Sequence, residues 1–367
     1  MYVIDQGRTY AYSLPMTESS SNKKHRDIPD MSPVIVTDAL SRMFKSYRKP
    51  EGLLNSLRYF FNRQYTETVA LAPTTLSIGG GQIVGLVGAN GAGKTTLLKL
   101  LCGLIHPTSG TAHVLGFDPA QRHPDMLRRI SVLLGQKAQL WWDLPPADSF
   151  DLLARIYDLD LAAAKVRVKE LSALLQCDHL LHVQLRRLSL GERMKMEIIG
   201  SLLHKPQILF LDEPTIGLDV VAQTTIRQFL AEHVQREKPT VILTSHYMDD
   251  IAQLARRLLL ISHGRIVYDG TVEGFTARSE TRQKITLRLL TPPTGQVELP
   301  GGQWIGPGQD FFSGEFGARD VGPALERIMS CSKVTDLRVE ETDFEDVIRA
   351  FLEEESRLRK AGHTQPV

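Results

Sequence analysis

Within eight residues, Gly88-Ala89-Asn90-Gly91-Ala92-Gly93-Lys94-Thr95 sets three glycines, a lysine and a hydroxyl side by side. An apolar run, Ile83-Val84-Gly85-Leu86-Val87, leads into the loop, as a strand buried on both faces would. Behind it Leu97, Leu98, Leu101, Leu104 and Ile105 recur at helical spacing, with Gly103 and Pro107 marking the end. A loop held between strand and helix directs backbone N–H groups and the positive end of a helix toward one anion. Lys94 would then reach the β- and γ-phosphates of a nucleotide, and the Thr95 hydroxyl would ligate Mg²⁺. A tight glycine turn carrying an exposed lysine would satisfy the loop alone, but not its two flanks.

Two carboxylates are the natural complement of such a loop. The run Ile208 to Leu211 ends in Asp212-Glu213-Pro214, at the end of a buried strand. Asp212 would approach the metal held by Thr95, directly or through water. Glu213 would project toward the γ-phosphate and act as general base on the attacking water. Acidic residues also follow strands as turn or N-cap residues, so the pair carries weight because a phosphate loop precedes it. Ser189 and Glu192 have the spacing of a capping box, with Met194, Ile198 and Leu202 as the buried stripe and His204-Lys205-Pro206 as the stop.

The elements that must position these groups alternate. Strands are expected near Val34–Val36, Thr74–Ile78, Ser109–Gly116, Ile130–Gly135, Gln207–Leu211 and Thr240–Thr244, and helices over Ser149–Leu159, Leu161–Leu175 and Arg193–Leu203. Strands alternating with helices imply a parallel sheet with ligands at its carboxyl ends. The early strands predict a small antiparallel sheet, and residues 137–205 a helical subdomain. Leu53, Leu54, Leu57, Phe60 and Phe61 form an amphipathic pattern, suited to packing on its own domain or to a membrane partner. Beyond about residue 280, a strand at Lys284–Leu289, a Pro/Gly-rich loop, a helix at Val321–Ser330, a strand at Lys333–Val339 and a helix at Phe344–Arg359 predict an α+β appendage over 281–367, dispensable for nucleotide binding. Residues 1–32 read as a disordered tail, with Met31 an alternative start. The 43 basic and 42 acidic residues of this 367-residue chain nearly cancel, which gives no argument for nucleic acid as partner. Cys102, Cys177 and Cys331 lack metal-ligand spacing, and no apolar run is long enough to span a bilayer.

Taken with the loop and the carboxylates, Leu188-Ser189-Leu190-Gly191-Glu192 resembles the signature motif of the ATP-binding cassette superfamily, the ATPases that drive ABC transporters. The resemblance covers about residues 34–275, the proposed cassette domain (33–275). Gln136 stands at the Q-loop position, Ile216-Gly217-Leu218-Asp219 resembles the D-loop, and Ser245-His246 resembles the switch histidine. Leu190 replaces one signature glycine. Tyr47 resembles the adenine-stacking aromatic, but an insertion at 50–67 separates it from the next strand, and an ordinary core or surface tyrosine suits it nearly as well.

The resemblance implies an α/β P-loop NTPase core with antiparallel β and helical subdomains, ATP and Mg²⁺ as ligands, and two cassettes closing on nucleotide. In that scheme Gly88 through Thr96 bind phosphate, with Lys94. Thr95, Gln136 and Asp212 handle the metal and Glu213 activates water, while His246, with Ser189 and Gly191 of the partner subunit, completes the site. Gln139-Leu140-Trp141-Trp142-Asp143-Leu144-Pro145 and the insertion look like the ABC-2 type export group that includes viologen and drug exporters. Trp141 and Trp142 would either grip a transmembrane permease subunit or fill the core. The implied protein is a cytoplasmic ATPase subunit, homodimeric and peripheral on the inner face of the membrane. A soluble ATPase of the same superfamily acting on ribosomes or DNA is the alternative; one phosphate loop and no sustained heptads speak against it.

Overall fold

The computed structural model describes residues 2–5, 8–11, 33–46, 66–135, 139–245, 247–278, 282–317, 319–341 and 344–362. Tyr47, Gln136, His246 and nearly all of the 50–67 insertion lie outside the described residues. Met1–Asp30 and Met31–Val367 are separate units. In the first, β1 (Tyr2–Asp5) pairs antiparallel with β2 (Arg8–Ala11), an element not foreseen in the polar tail.

The second unit opens with β3 (Pro33–Ser46) and β4 (Thr66–Gly79), 14 residues each and far longer than their β-branched cores. Four register shifts let the pair bend and continue through polar sequence. The buried Thr37 hydroxyl helps, donating to Thr74 O at 3.0 Å and accepting from Leu76 N at 2.9 Å. Next come β5 (Ile83–Val87), α1 (Lys94–Leu101) and β6 (Ser109–Val114), the last closing an antiparallel sheet of order β4-β3-β6.

A short α2 (Pro124–Leu127) and β7 (Ile130–Leu134) precede the helical subdomain, α3 (Pro146–Ile156), α4 (Leu161–Leu174) and α5 (Leu190–Leu202). The chain then returns as β8 (Ile208–Asp212), α6 (Val220–Glu237), β9 (Thr240–Thr244), α7 (Met248–Leu254), β10 (Arg257–Ser262), β11 (Arg265–Thr271) and α8 (Val272–Arg278). The main sheet runs β11-β10-β5-β9-β8-β7, parallel except for the antiparallel edge strand β11. Alternate residues of its central strands feed two cores. Ile83, Val87, Leu209, Leu211, Val241 and Leu243 join the helical side, while Val84, Leu86, Ile208, Phe210 and Ile242 join α1 and the antiparallel sheet. Burial on both faces is why these strands read as unbroken apolar runs.

The remainder forms β12 (Arg282–Leu289), β13 (Val297–Glu298), β14 (Trp304–Ile305), β15 (Phe311–Gly317), α9 (Val321–Cys331), β16 (Val334–Glu341) and α10 (Phe344–Gly362). An antiparallel sheet β15-β12-β16 and α9 enclose a separate small core around Ile285, Leu287, Phe316 and Ile328. α10 does not stay with it. Its Ile348, 2% exposed, belongs to the helical-side core of the cassette, and Phe344 and Phe351 set their rings edge-on to Phe275 of α8 at 6.2 and 5.3 Å. The appendage is thus strapped to the helical-side core by a helix that the sequence places at its far end.

Candidate active site

Parallel pairing gathers the chemistry. Because β9 lies between β5 and β8, the carboxyl ends of all three strands emerge together, with Leu86 and Asp212 each in register with Thr244. The phosphate loop leaves β5 and turns into α1, whose Leu97 N–H donates to Gly93 O at 2.9 Å. Gly88 is required by space: a Cβ there would lie 2.2 Å from Ile261 O. Gly93 is required by backbone as well, with φ 113° and the Ala70 carbonyl 2.5 Å from where a Cβ would sit.

Lys94, 5% exposed, donates from Nζ to Gly88 O at 2.7 Å and so holds its ammonium inside the loop. Burial lowers its pKa, and the carboxylates of Glu213 and Asp212 oppose that shift, so three charges share one small volume. The Thr95 hydroxyl donates to Asp212 Oδ2 at 2.9 Å, and the Thr244 hydroxyl donates to Oδ1 at 2.7 Å. Each oxygen of the buried Asp212 carboxylate therefore receives one hydroxyl. Glu213 follows with φ 56°, the left-handed region that glutamate rarely adopts, and its N–H donates to Thr244 O and Oγ1, both at 3.0 Å. Such backbone costs on the order of 1–3 kcal/mol and persists where surrounding bonds fix it; here Thr244 fixes it through both bonds to the Glu213 N–H.

A second network braces the turn beyond. Asp250, 1% exposed, accepts at Oδ2 from the hydroxyls of Thr215 and Ser245 and lies 3.1 Å from Arg227 Nε through Oδ1. It joins the residue before His246, the segment after Glu213 and the helix that Asp219 caps through Ala222 N at 2.9 Å. Sequence reasoning passed over Thr244, Thr215, Asp250 and Arg227; Ser245 entered only as the neighbour of His246.

On the helical subdomain the capping box is formed. Glu192 N donates to Ser189 Oγ at 3.3 Å, and Ser189 N donates to Glu192 Oε2 at 2.8 Å, which holds the Glu192 carboxyl below its ordinary pKa. Buried Gly191 packs on the same chain's α6, where a Cβ would meet Ala222 Cβ at 2.8 Å. Close helix approach therefore demands glycine here within one subunit. No hydrogen bond among the described residues joins Ser189 or Gly191 to Lys94, Thr95, Asp212 or Glu213.

The segment after Gln136 is anchored to α5 through Gln139 N, which donates to the buried Glu197 carboxylate at 3.0 Å; burial, the larger influence, raises the Glu197 pKa against that bond. Trp141 and Trp142 are not core residues, at 41% and 49% exposed. Arg193, one turn beyond Ser189, lies 4.9 Å from the Trp142 ring centroid, so the tryptophans border the signature helix.

The family described as ABC transporter matches residues 71–216, from β4 through the carboxylates. The ABC transporter ATP-binding protein NatA of Bacillus subtilis is 32% identical over 223 residues, which cover 60% of this chain and 90% of NatA. The chain belongs to the ABC transporter ATP-binding proteins. This cassette is also 34% identical over 207 residues to the daunorubicin/doxorubicin resistance ATP-binding protein DrrA of Streptomyces peucetius, covering 56% of the chain and 62% of DrrA. The probable multidrug ABC transporter ATP-binding protein YbhF of Escherichia coli is 30% identical over 217 residues, 59% of the chain and 37% of YbhF. Among solved structures, the dimeric post-hydrolysis state of the cassette MJ0796 bound to ADP and Pi superposes with a TM-score of 0.55 at 20% identity, covering 65% of this chain and 98% of that one. The fold is that of an ABC ATPase, and the cassette is an ATP hydrolase. No helix among the described residues is long and apolar enough to cross a membrane.

Proposed function

We propose that this cassette hydrolyses MgATP between two copies of itself and so drives an ABC-2 type exporter whose transport path lies in separate membrane subunits. The observation that carries the catalytic part is the convergence of Lys94, Thr95, Asp212 and Glu213, with Thr244 bonded to the Asp212 carboxylate and to the Glu213 backbone N–H. The Thr95 hydroxyl and the Asp212 carboxylate, 2.9 Å apart, are hard oxygen donors of the kind Mg²⁺ takes from a protein, few in number and backed by substrate phosphates. MgATP, when bound, would supply the γ-phosphoryl group, and its metal would offset negative charge on the phosphates. Lys94 and the loop N–H groups orient the phosphates, and Glu213 orients water and accepts its proton. Thr96 follows in the first turn of α1. Ser189 and Gly191, at the N-terminus of α5, would complete the site of a partner cassette, and the roles of Gln136, His246 and Tyr47 rest on resemblance.

Exposed Trp141 and Trp142, set beside the signature helix, support a docking role toward a transmembrane permease subunit, because paired aromatics at a solvent face are typical anchors of an interface. The resistance and multidrug names of the relatives support export, and the subunit would then lie peripherally on the cytoplasmic face of the membrane. Co-expression with candidate membrane subunits tests the reading. A stable complex should form, and Trp141→Ala with Trp142→Ala should remove it while the purified cassette keeps its melting temperature. Complex formation unchanged by the double substitution would contradict this docking surface.

A further inference from the structure

We propose that Glu197 is a positioning residue: it locks the segment 139–144 to the signature helix α5, so that whatever docks on Trp141 and Trp142 sets where Ser189 and Gly191 lie. The inference deepens the reading above and rests on it, since it takes the tryptophans as a docking face and the signature as part of a partner's site. Arg193, Glu197 and Gly200 stand four and three residues apart, on one face of α5. All three meet the same short segment. Arg193 lies over the Trp142 ring, 4.9 Å from its centroid. Glu197, 3% exposed, accepts from Gln139 N at 3.0 Å and from Leu140 N at 3.3 Å. Gly200 leaves room for Leu140, whose Cδ2 would lie 3.1 Å from a Cβ there.

The far end of the segment is tied to the same unit. Leu185 N donates to Leu144 O and Arg186 N to Trp142 O, both at 3.1 Å, and the Arg186 guanidinium bridges to Asp143 at 3.1 Å. Leu185 and Arg186 lie just ahead of Ser189, so the stretch that carries the signature grips the tryptophans from both of its ends. Toward the main sheet, the Gln139 side chain donates to Val132 O of β7, which puts the Glu197 carboxylate where the chain leaves the sheet for the helical subdomain. Of these contacts the one through Glu197 is both buried and charged, and a carboxylate holds backbone N–H groups more firmly than a neutral acceptor does. A push on the tryptophans therefore reaches Ser189 as displacement of one body, with no slack at the joint.

The test uses the full chain carrying Trp304→Phe, which leaves Trp141 and Trp142 as its tryptophans, alone and in complex with candidate membrane subunits. Glu197→Met keeps the side-chain length and leaves both N–H groups without their acceptor, whereas Glu197→Gln retains one oxygen for them. In the free chain, time-resolved fluorescence anisotropy should show the tryptophans tumbling with the whole protein in the parent and the glutamine variant, and an added fast component in the methionine variant. In the complex, stimulation of phosphate release by the membrane subunits should fall about tenfold or more in the methionine variant and return in the glutamine variant. Subunit binding should persist, with the unstimulated rate within about twofold of the parent. Should the methionine variant not fold, Arg193→Ser loosens the joint at its Trp142 end and should show the same changes in smaller measure. Tryptophans as rigid in these variants as in the parent overturn the joint, and mobile tryptophans with stimulation intact overturn the transmission. Unstimulated and stimulated rates falling in proportion would make Glu197 a structural residue only and overturn the proposal. A parent that the membrane subunits neither bind nor stimulate overturns the docking reading and the transmission with it, while the anisotropy still decides the joint.

Discussion

Thr244 is the residue whose loss separates the geometry of this site from its composition. Thr244→Val keeps the shape of the side chain at a fully buried position and removes two hydrogen bonds, the one given to Asp212 Oδ1 at 2.7 Å and the one accepted from Glu213 N at 3.0 Å. Glu213 N retains the Thr244 carbonyl, so the larger penalty falls on the buried carboxylate. A hydrogen bond to a charged group contributes about 1.5–3 kcal/mol, and ~2 kcal/mol corresponds to a fall of about 4–8 °C in melting temperature for a domain of some 150–250 residues. Catalysis should suffer too, because Asp212 can then rotate and Glu213 loses one of its two anchors. A drop of about tenfold or more in kcat is expected, equivalent to at least ~1.4 kcal/mol of transition-state stabilisation. Thr244→Ser restores the hydroxyl and should recover most of kcat. Scanning calorimetry and phosphate-release kinetics read both effects. A valine variant with unchanged melting temperature and unchanged kcat would refute the claim that Thr244 positions the carboxylates.

Two further expectations come from buried groups. His233, 4% exposed, has its pKa pulled down to about 4, chiefly by burial, with Glu237 opposing and Arg167 and Arg236 reinforcing the shift. Its unfolded pKa is about 6.5, so the unfolded chain takes up a proton that the folded chain refuses. The stability is full above about pH 6.5 and declines toward pH 4 by up to about 1.4 kcal/mol per pH unit; urea titrations of wild type and His233→Gln should differ in slope over that window and coincide above it. Ile348→Ala should cost about 2–5 kcal/mol through the cavity it leaves in the cassette core, and truncation after Ser279 should yield a chain that melts earlier or aggregates; a truncated chain melting at the full-length temperature would show that α10 contributes nothing to the core.

What was readable in the sequence depended on range. The phosphate loop stood out because its strand and helix are its immediate neighbours, and the Ser189–Glu192 box because capping is a contact over three residues. Asp212 and Glu213 were legible from an apolar strand ending in acid. Thr244 was not: a threonine closing a buried strand has no local pattern, and its role exists only because β8 and β9 pair in register. Adjacent tryptophans likewise carry no mark of inside or outside until Glu197 anchors the segment before them. The amphipathic period of α10 was visible, but which surface its apolar side covers is a contact with α8, some seventy residues earlier. β15 escaped because its two glycines and its phenylalanines follow a Pro/Gly-rich loop and mask the alternation that pairs it with β12.

The central claim is that Glu213 takes the proton from water attacking a nucleotide held by two cassettes, and Glu213→Gln tests it most directly. The amide keeps size and hydrogen-bonding reach but accepts no proton, so phosphate release should fall by orders of magnitude while ATP still binds. Loss of one negative charge facing the γ-phosphate should also prolong the closed state, giving a dimer in light scattering with MgATP, none with ADP, and none in Lys94→Ala. Phosphate release from Glu213→Gln at the wild-type rate would contradict the assignment.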